Sequence, residues 1–380
     1  MNNFYINGRN IEYDKKYIAP ARINLIGEHI DYNGGCVFPA CVNLYISAYV
    51  KKRDDNKIIL ESQGYKTTIE TTLDKLDYND NLFWGVYPIG VLYIIKKLGY
   101  KIKTGLEIYY ESKIPSGSGL SSSAAILVVT TFLISDIFNL NISLLDIIKI
   151  TKMVENDYCK LKSGIMDQSI IALGKRNKGL LLNCDNLDYQ YKNIKINGYS
   201  IVVLKTNKPR KLTESKYNER VDECNKALSI LKLIYKINNL CDLKSKDLDN
   251  VKNILNDEVL YRRVKHVITE NERVYEFAKS LEEGNISEIA RLLNESHESL
   301  RKDYEVTGIH LDSIVDSAIS SGAIGARMTG AGFGGCAIAL VKNDILDDFK
   351  KNLIKKYKEK TNITPDVIPV IFVDGVKIEE

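Results

Sequence analysis

A glycine-rich turn set between a strand and a long apolar helix constrains the fold of this chain more than any other stretch. Residues 107–110 read EIYY, residues 115–119 read PSGSG, and the serines at 121–123 open an apolar run that reaches residue 138. Strand, glycine turn and helix N-terminus, in that order, form a geometry that binds phosphate. Free backbone N–H groups and the helix dipole point at one place, and glycine lets an anion approach closely. Capping a helix needs one serine. Three serines after two glycines exceed that need, so phosphate binding is the better reading. This is not a Walker loop, because no Lys-Ser or Lys-Thr follows the glycines.

A second polar stretch precedes it. Residues 22–35 read RINLIGEHIDYNGG. Glycines at 27, 34 and 35 allow a tight loop that turns Glu28, His29 and Asp31 toward one point. Two carboxylates and an imidazole can accept hydrogen bonds from several neighbouring hydroxyls, which suits a polyhydroxylated ligand. A solvated polar loop is the competing reading.

At 380 residues the chain exceeds what one core usually serves, and two lobes are expected: 1–195 and 196–380. Residues 45–50, 57–62, 67–71 and 104–110 read as strands, and 87–98, 120–138 and 144–160 as helices. After strands near Gly179 and Ile201, helices are expected over 213–235, 260–281, 287–300 and 311–320. Strands return at 325–328, 337–341 and 368–373. The pattern is α+β.

Composition excludes several classes. A net charge of +4 with lysines scattered along helical faces does not argue for nucleic acid. The most apolar segment, 124–134, is too short for a membrane span. Asn2, Asn3, Asn7, Arg9 and Asn10 interrupt any apolar start, so no signal peptide is expected. Seven cysteines without close pairing fit reduced thiols and a cytoplasmic protein. The four histidines lack metal-ligand spacing. Residues 330–335 fit GxGxxG, but they lie between two strand-like runs where a dinucleotide fold needs a following helix, so NAD binding is rejected.

Gly164 shortly precedes Asp167 and an apolar stretch follows, which predicts a place in the first turn of a helix, where the dipole favours a carboxylate. On the residues alone, an aspartate that only stabilises its helix is the commoner case.

Six motifs, in order, resemble those of the galactokinases, within the superfamily that also holds homoserine, mevalonate and phosphomevalonate kinases. They are RINLIGEHIDYNGG, PSGSGLSSSAA at 115–125, SGIMDQ at 163–168, KLTESKYNER at 211–220, DYEVTG at 303–308 and GARMTGAGFGGC at 325–336. The resemblance implies a two-lobed small-molecule kinase fold with its active site in the cleft between lobes. It implies transfer of the ATP γ-phosphate to the anomeric hydroxyl of galactose. It gives Asp167 and Arg22 the catalytic roles and assigns the sugar to Glu28, His29, Asp31, Gly164 and Tyr217. The nucleotide falls to Gly117, Ser118, Gly119, Leu120, Ser121, Ser122 and Ser123, with Ser62 on a looser match, and Mg²⁺ to Ser123 and Glu155. The glycines at 330–335 become a loop closing over the site, and a monomer is expected. The chain departs from the common pattern at Ala21 (usually glycine), Ile30 (threonine), Ser163 (cysteine) and Ser169 (phenylalanine). The changes at 30 and 163 leave open another aldose, such as N-acetylgalactosamine or galacturonate. A non-catalytic sugar and ATP sensor is a third reading, disfavoured by the intact glycine loop, Asp167 and Arg22.

Overall fold

The computed structural model describes residues 2–6, 9–115, 117–161, 163–208 and 213–379. Ser116 of the glycine loop, Asn7, and Lys211 and Leu212 of the fourth motif lie outside the described residues.

The first half is built on a six-stranded sheet in the spatial order Lys377–Glu379, Lys15–Asn24, Pro39–Lys52, Leu106–Ser112, Lys57–Ser62, Ile69–Thr72. Every neighbouring pair is antiparallel except one: Lys57–Ser62 runs parallel to Leu106–Ser112. A parallel pair needs a crossover, and helix Val86–Lys97 supplies it. Helices Ser122–Ile137 and Met166–Leu173 pack on strands Lys15–Asn24 and Pro39–Lys52, with Val86–Lys97 and Leu144–Met153 packed on Ser122–Ile137. Helix Ser122–Ile137 is buried on nearly all sides, which explains its unbroken run of Ala, Ile, Leu and Val.

The second half centres on an antiparallel sheet in the order Gly325–Thr329, Cys336–Lys342, Tyr199–Lys205, Asp366–Val370. Helices Ile286–Ser299, Gly308–Ser320 and Leu346–Thr361 pack around it. The long helix Glu258–Glu283 touches both halves, meeting strands Cys36–Val37 and Tyr189–Asn193 as well as helix Ile286–Ser299. Thr329 stitches the halves together: its hydroxyl accepts from the Asn24 N–H at 3.1 Å and donates to the Asn24 carbonyl at 3.0 Å.

Most expected elements are present with ends moved by a few residues, and two expectations need correction. Arg22 does not belong to a loop. It lies on strand Lys15–Asn24, and the turn begins beyond Asn24. That strand is buried on both faces, so it lacks the alternation that would mark it in sequence. The helix expected over 144–160 stops being α-helical at Met153 and continues as a π turn, Val154–Tyr158. A π turn inserts an extra residue per turn and often marks a functional position. Here it carries Glu155.

Candidate active site

Arg22 sits near the end of a central strand, and its guanidinium reaches across to helix Met166–Leu173. Nε and Nη2 donate to the two oxygens of Asp167 at 2.7 and 2.9 Å, a bidentate pair, while Nη1 donates to the Gly119 carbonyl at 2.7 Å. Ser121 adds a third donor, a hydroxyl, to Asp167. Burial of Arg22 works against its charge, yet Asp167 outweighs that and raises its pKa. Asp167 occupies the first turn of its helix, as its sequence setting suggests.

The glycine loop has a regular backbone. Gly117, Gly119 and Ser121 all take positive φ (65°, 76° and 63°), alternating with residues outside that region. Such alternation turns successive N–H groups into one concavity that accepts an anion, and helix Ser122–Ile137 begins directly after it. Ser121 makes no capping bond. Its hydroxyl goes to Asp167 instead, so the loop and the catalytic candidate are directly linked.

Beyond Asn24, the turn is held from behind. Glu28 is 2% exposed; its Oε1 accepts from the Gly330 N–H at 2.6 Å and faces the Arg327 guanidinium at 3.5 Å, and its Oε2 accepts from Asn24. Burial raises the Glu28 pKa although Arg327 pulls it down. The His266 imidazole meets the Glu28 carbonyl at 3.1 Å, and Glu270 accepts from the Gly27 N–H at 3.0 Å. His29 has a left-handed backbone (φ 64°), and burial lowers its pKa to about 3. It is therefore a neutral imidazole. Its Nδ1 meets the Tyr32 hydroxyl at 2.9 Å, which continues to Tyr304 at 2.8 Å, and its Nε2 is buried with no hydrogen bond among the described residues. Tyr217, on helix Thr213–Leu231, stacks obliquely on His29 with ring centroids 5.6 Å apart.

Asp31 packs on Gly164 so closely that a Cβ there would lie 1.7 Å from Oδ2. Gly164 thus answers to space and not to backbone angle. Burial, then repulsion from Asp167 and Glu28, raises the Asp31 pKa to about 6. Glu155 is buried, and its Oε2 accepts from Ser163 and Gln168, each at 2.5 Å; burial raises its pKa.

These groups enclose a cavity of about 180 Å³, lined by Arg22, Glu28, His29, Asp31, Glu155, Gly164, Asp167 and Tyr217 together with Ser163, Met166, Gln168, Gly330 and Ala331. A hollow lined by so many polar groups suits one small polar ligand such as a single sugar ring. All five residues expected to hold a sugar line it, as do both expected catalytic residues. The glycine loop adjoins it through the Gly119 carbonyl and the Ser121 hydroxyl, which meet the Arg22–Asp167 pair. Ser123 lies one residue into helix Ser122–Ile137 and does not line the cavity, whereas Glu155 does. Ser62 lies apart, in a separate hollow with Arg9, Tyr65, Thr68 and Tyr109. Its strand is nevertheless the parallel neighbour of the one that feeds the glycine loop, with Ser62 opposite Tyr110. Gln168, the last residue of the SGIMDQ motif, was given no role from sequence, yet it lines the cavity beside Asp167.

Three family models match the chain. The GHMP kinases N terminal domain covers residues 81–175, the galactokinase galactose-binding signature residues 11–52, and the GHMP kinases C terminal model residues 277–359. The chain is 43% identical over 368 residues to a galactokinase of Clostridium acetobutylicum, covering 96% of this chain and 95% of the relative. To a galactokinase of Staphylococcus saprophyticus it is 44% identical over 370 residues, covering 97% and 96%. Among solved structures, Lactococcus lactis galactokinase complexed with galactose superposes with a TM-score of 0.92 at 39% identity, over 96% of this chain and 94% of that one. A mevalonate kinase superposes at 0.66 with 22% identity, over 95% of this chain and 100% of that one, a likeness of fold alone.

Proposed function

The chain belongs to the galactokinase family and is an ATP-dependent sugar kinase, and from that premise we propose that its cavity binds galactose with the anomeric hydroxyl at Asp167. The product is galactose 1-phosphate. The observation that carries this reading is the convergence of Glu28, His29, Asp31, Gly164 and Tyr217 on one cavity that abuts the Arg22–Asp167 pair.

Phosphoryl transfer needs an aligned acceptor and neutralised charge more than covalent help. Asp167 receives the hydrogen bond of the anomeric hydroxyl and takes its proton as that oxygen bonds to the γ-phosphorus and the bond to ADP breaks. Arg22, gripping both Asp167 oxygens and the glycine loop, fixes the carboxylate and offsets negative charge gathering between sugar and phosphate. The nest of Gly117, Gly119 and Ser121, with Ser118, Leu120, Ser122 and Ser123, cradles the nucleotide phosphates, and Ser62 borders the nucleotide from the adjoining strand.

The family's Mg²⁺ needs hard oxygen donors. The Ser123 hydroxyl and the Glu155 carboxylate fit that need. Both hydrogen bonds to Glu155 among the described residues fall on Oε2, which leaves Oε1 for a metal. A bound Mg²⁺ supplies charge neutralisation at the phosphate oxygens.

The seven free cysteines support a reducing, cytoplasmic setting, and among the described residues no helix is long and apolar enough to cross a membrane. A division near residue 195 accords with the second sheet beginning at Tyr199. The test is a sugar panel with ATP and Mg²⁺, the product position fixed by NMR. Galactose should exceed glucose at least ~10-fold in kcat/KM, because a buried acceptor left unpaired costs about 1–3 kcal/mol. Equal use of the two sugars would refute the sugar assignment.

A further inference from the structure

Four carboxylates line the cavity: Glu28, Asp31, Glu155 and Asp167. Two guanidiniums are already committed, Arg22 to Asp167 and Arg327 to Glu28. Asp31 and Glu155 are offset instead by Lys152, at the end of helix Leu144–Met153. Its ammonium donates to the Gly164 carbonyl at 3.1 Å and lies 3.5 Å from the Ser163 hydroxyl, which itself donates to Glu155. Lys152 is half-buried, and burial lowers its pKa while Glu155, Asp31 and Asp167 oppose that.

Gly164 is the floor on which Asp31 rests, with no space between them for a methyl group. Whatever fixes the Gly164 peptide therefore fixes the Asp31 carboxylate. Residues 163–165 lie between the π turn and helix Met166–Leu173 and belong to neither. The side-chain bonds that hold them come from Lys152 and Glu155 at residues 163 and 164, and from the Ser169 hydroxyl, which donates to the Ile165 carbonyl at 2.8 Å.

We infer that Lys152 is a positioning residue for sugar binding: it clamps the Gly164 carbonyl and so sets where Asp31 meets the sugar hydroxyl. Its direct hydrogen bonds go to Ser163 and Gly164, both lining the cavity; it reaches Glu155 only through Ser163, and the nucleotide loop is gripped separately by Arg22. Loss of Lys152 should then act on the sugar and spare the nucleotide. This inference rests on the galactose reading above.

The experiment compares wild type, Lys152→Met and Lys152→Arg in steady state, varying galactose and ATP separately. Lys152→Met should raise KM for galactose roughly 10- to 100-fold, the range for a lost charge-assisted hydrogen bond. kcat and KM for ATP should stay within a few-fold, and Lys152→Arg should recover most of the loss. An unchanged KM for galactose in folded Lys152→Met overturns the inference. So does a matching loss in kcat and ATP use, which would mark a general packing role. If Lys152→Met does not fold, Lys152→Ala, which also lacks a side-chain donor, decides by the same split. Wild-type enzyme that fails to phosphorylate galactose would refute the sugar reading itself, and this inference with it, before any variant is compared.

Discussion

The guanidinium of Arg22 holds both oxygens of the Asp167 carboxylate, at 2.7 and 2.9 Å, while its remaining nitrogen holds the glycine loop through the Gly119 carbonyl. One side chain on an interior strand thus ties the proposed proton acceptor to the loop proposed to hold the phosphates.

Replacing Asp167 with asparagine removes the proton acceptor and breaks the bidentate pair. We expect kcat to fall roughly 10²-fold or more, since general base work is typically worth ~10²–10⁴, with sugar affinity, read by calorimetry, within a few-fold of wild type. Near-normal turnover in the folded variant would remove Asp167 from the chemistry.

Asp31 predicts a pH dependence. Burial and the neighbouring carboxylates raise its pKa to about 6, so it is an acceptor for sugar hydroxyls above that value and protonated below it. KM for galactose should rise as pH falls from 7 to 5, and Asp31→Asn should flatten that limb. Stability runs the other way. The native state holds this proton more tightly than the unfolded chain, so the Asp31 contribution is fully present below the usual aspartate range and is lost as pH rises through 6.

Gly164→Ala would drive a methyl group into the Asp31 carboxylate. Overpacking of this kind costs about 1–3 kcal/mol. The strain is relieved by moving Asp31, so KM for galactose should rise at least ~5-fold while KM for ATP holds. A variant with wild-type sugar KM would show that Asp31 has freedom to move without loss.

Ser123→Ala and Glu155→Gln should each raise the Mg²⁺ concentration needed for half-maximal rate, with galactose affinity little changed. Titrating the metal at saturating ATP and sugar measures this. Wild-type dependence in both would strike out the pair as ligands.

The sequence motifs anticipated the cavity wall well, because a loop that must offer several polar groups needs glycines and carboxylates at short spacing, as at 27–35. The supporting structure was less legible, and for physical reasons. Strand Lys15–Asn24 is covered on both faces and shows no alternation, so Arg22 read as part of a loop. The π turn at Val154–Tyr158 differs from an α-helix by one residue in hydrogen bonding, which composition does not register. Arg327 and Glu270, both fully buried, balance a site hundreds of residues away in the chain. Arg327 falls inside the GARMTGAGFGGC motif but nothing local there points to Glu28, and nothing local marks Glu270 at all. Lys152 is hidden for the same reason, being one lysine among many until the turn at 163–165 is folded beside it.

Strand Lys377–Glu379 pairs with Lys15–Asn24 and completes the outer edge of the first sheet, just as Phe372 bridges to Val42. During synthesis the strand bearing Arg22 therefore emerges with one flank bare, and everything from residue 25 to residue 376 must be made before that flank is covered. An uncovered strand edge invites pairing with other chains. Until then the outer edge at residues 16–18 stays open to pairing, at the end of the strand away from Arg22.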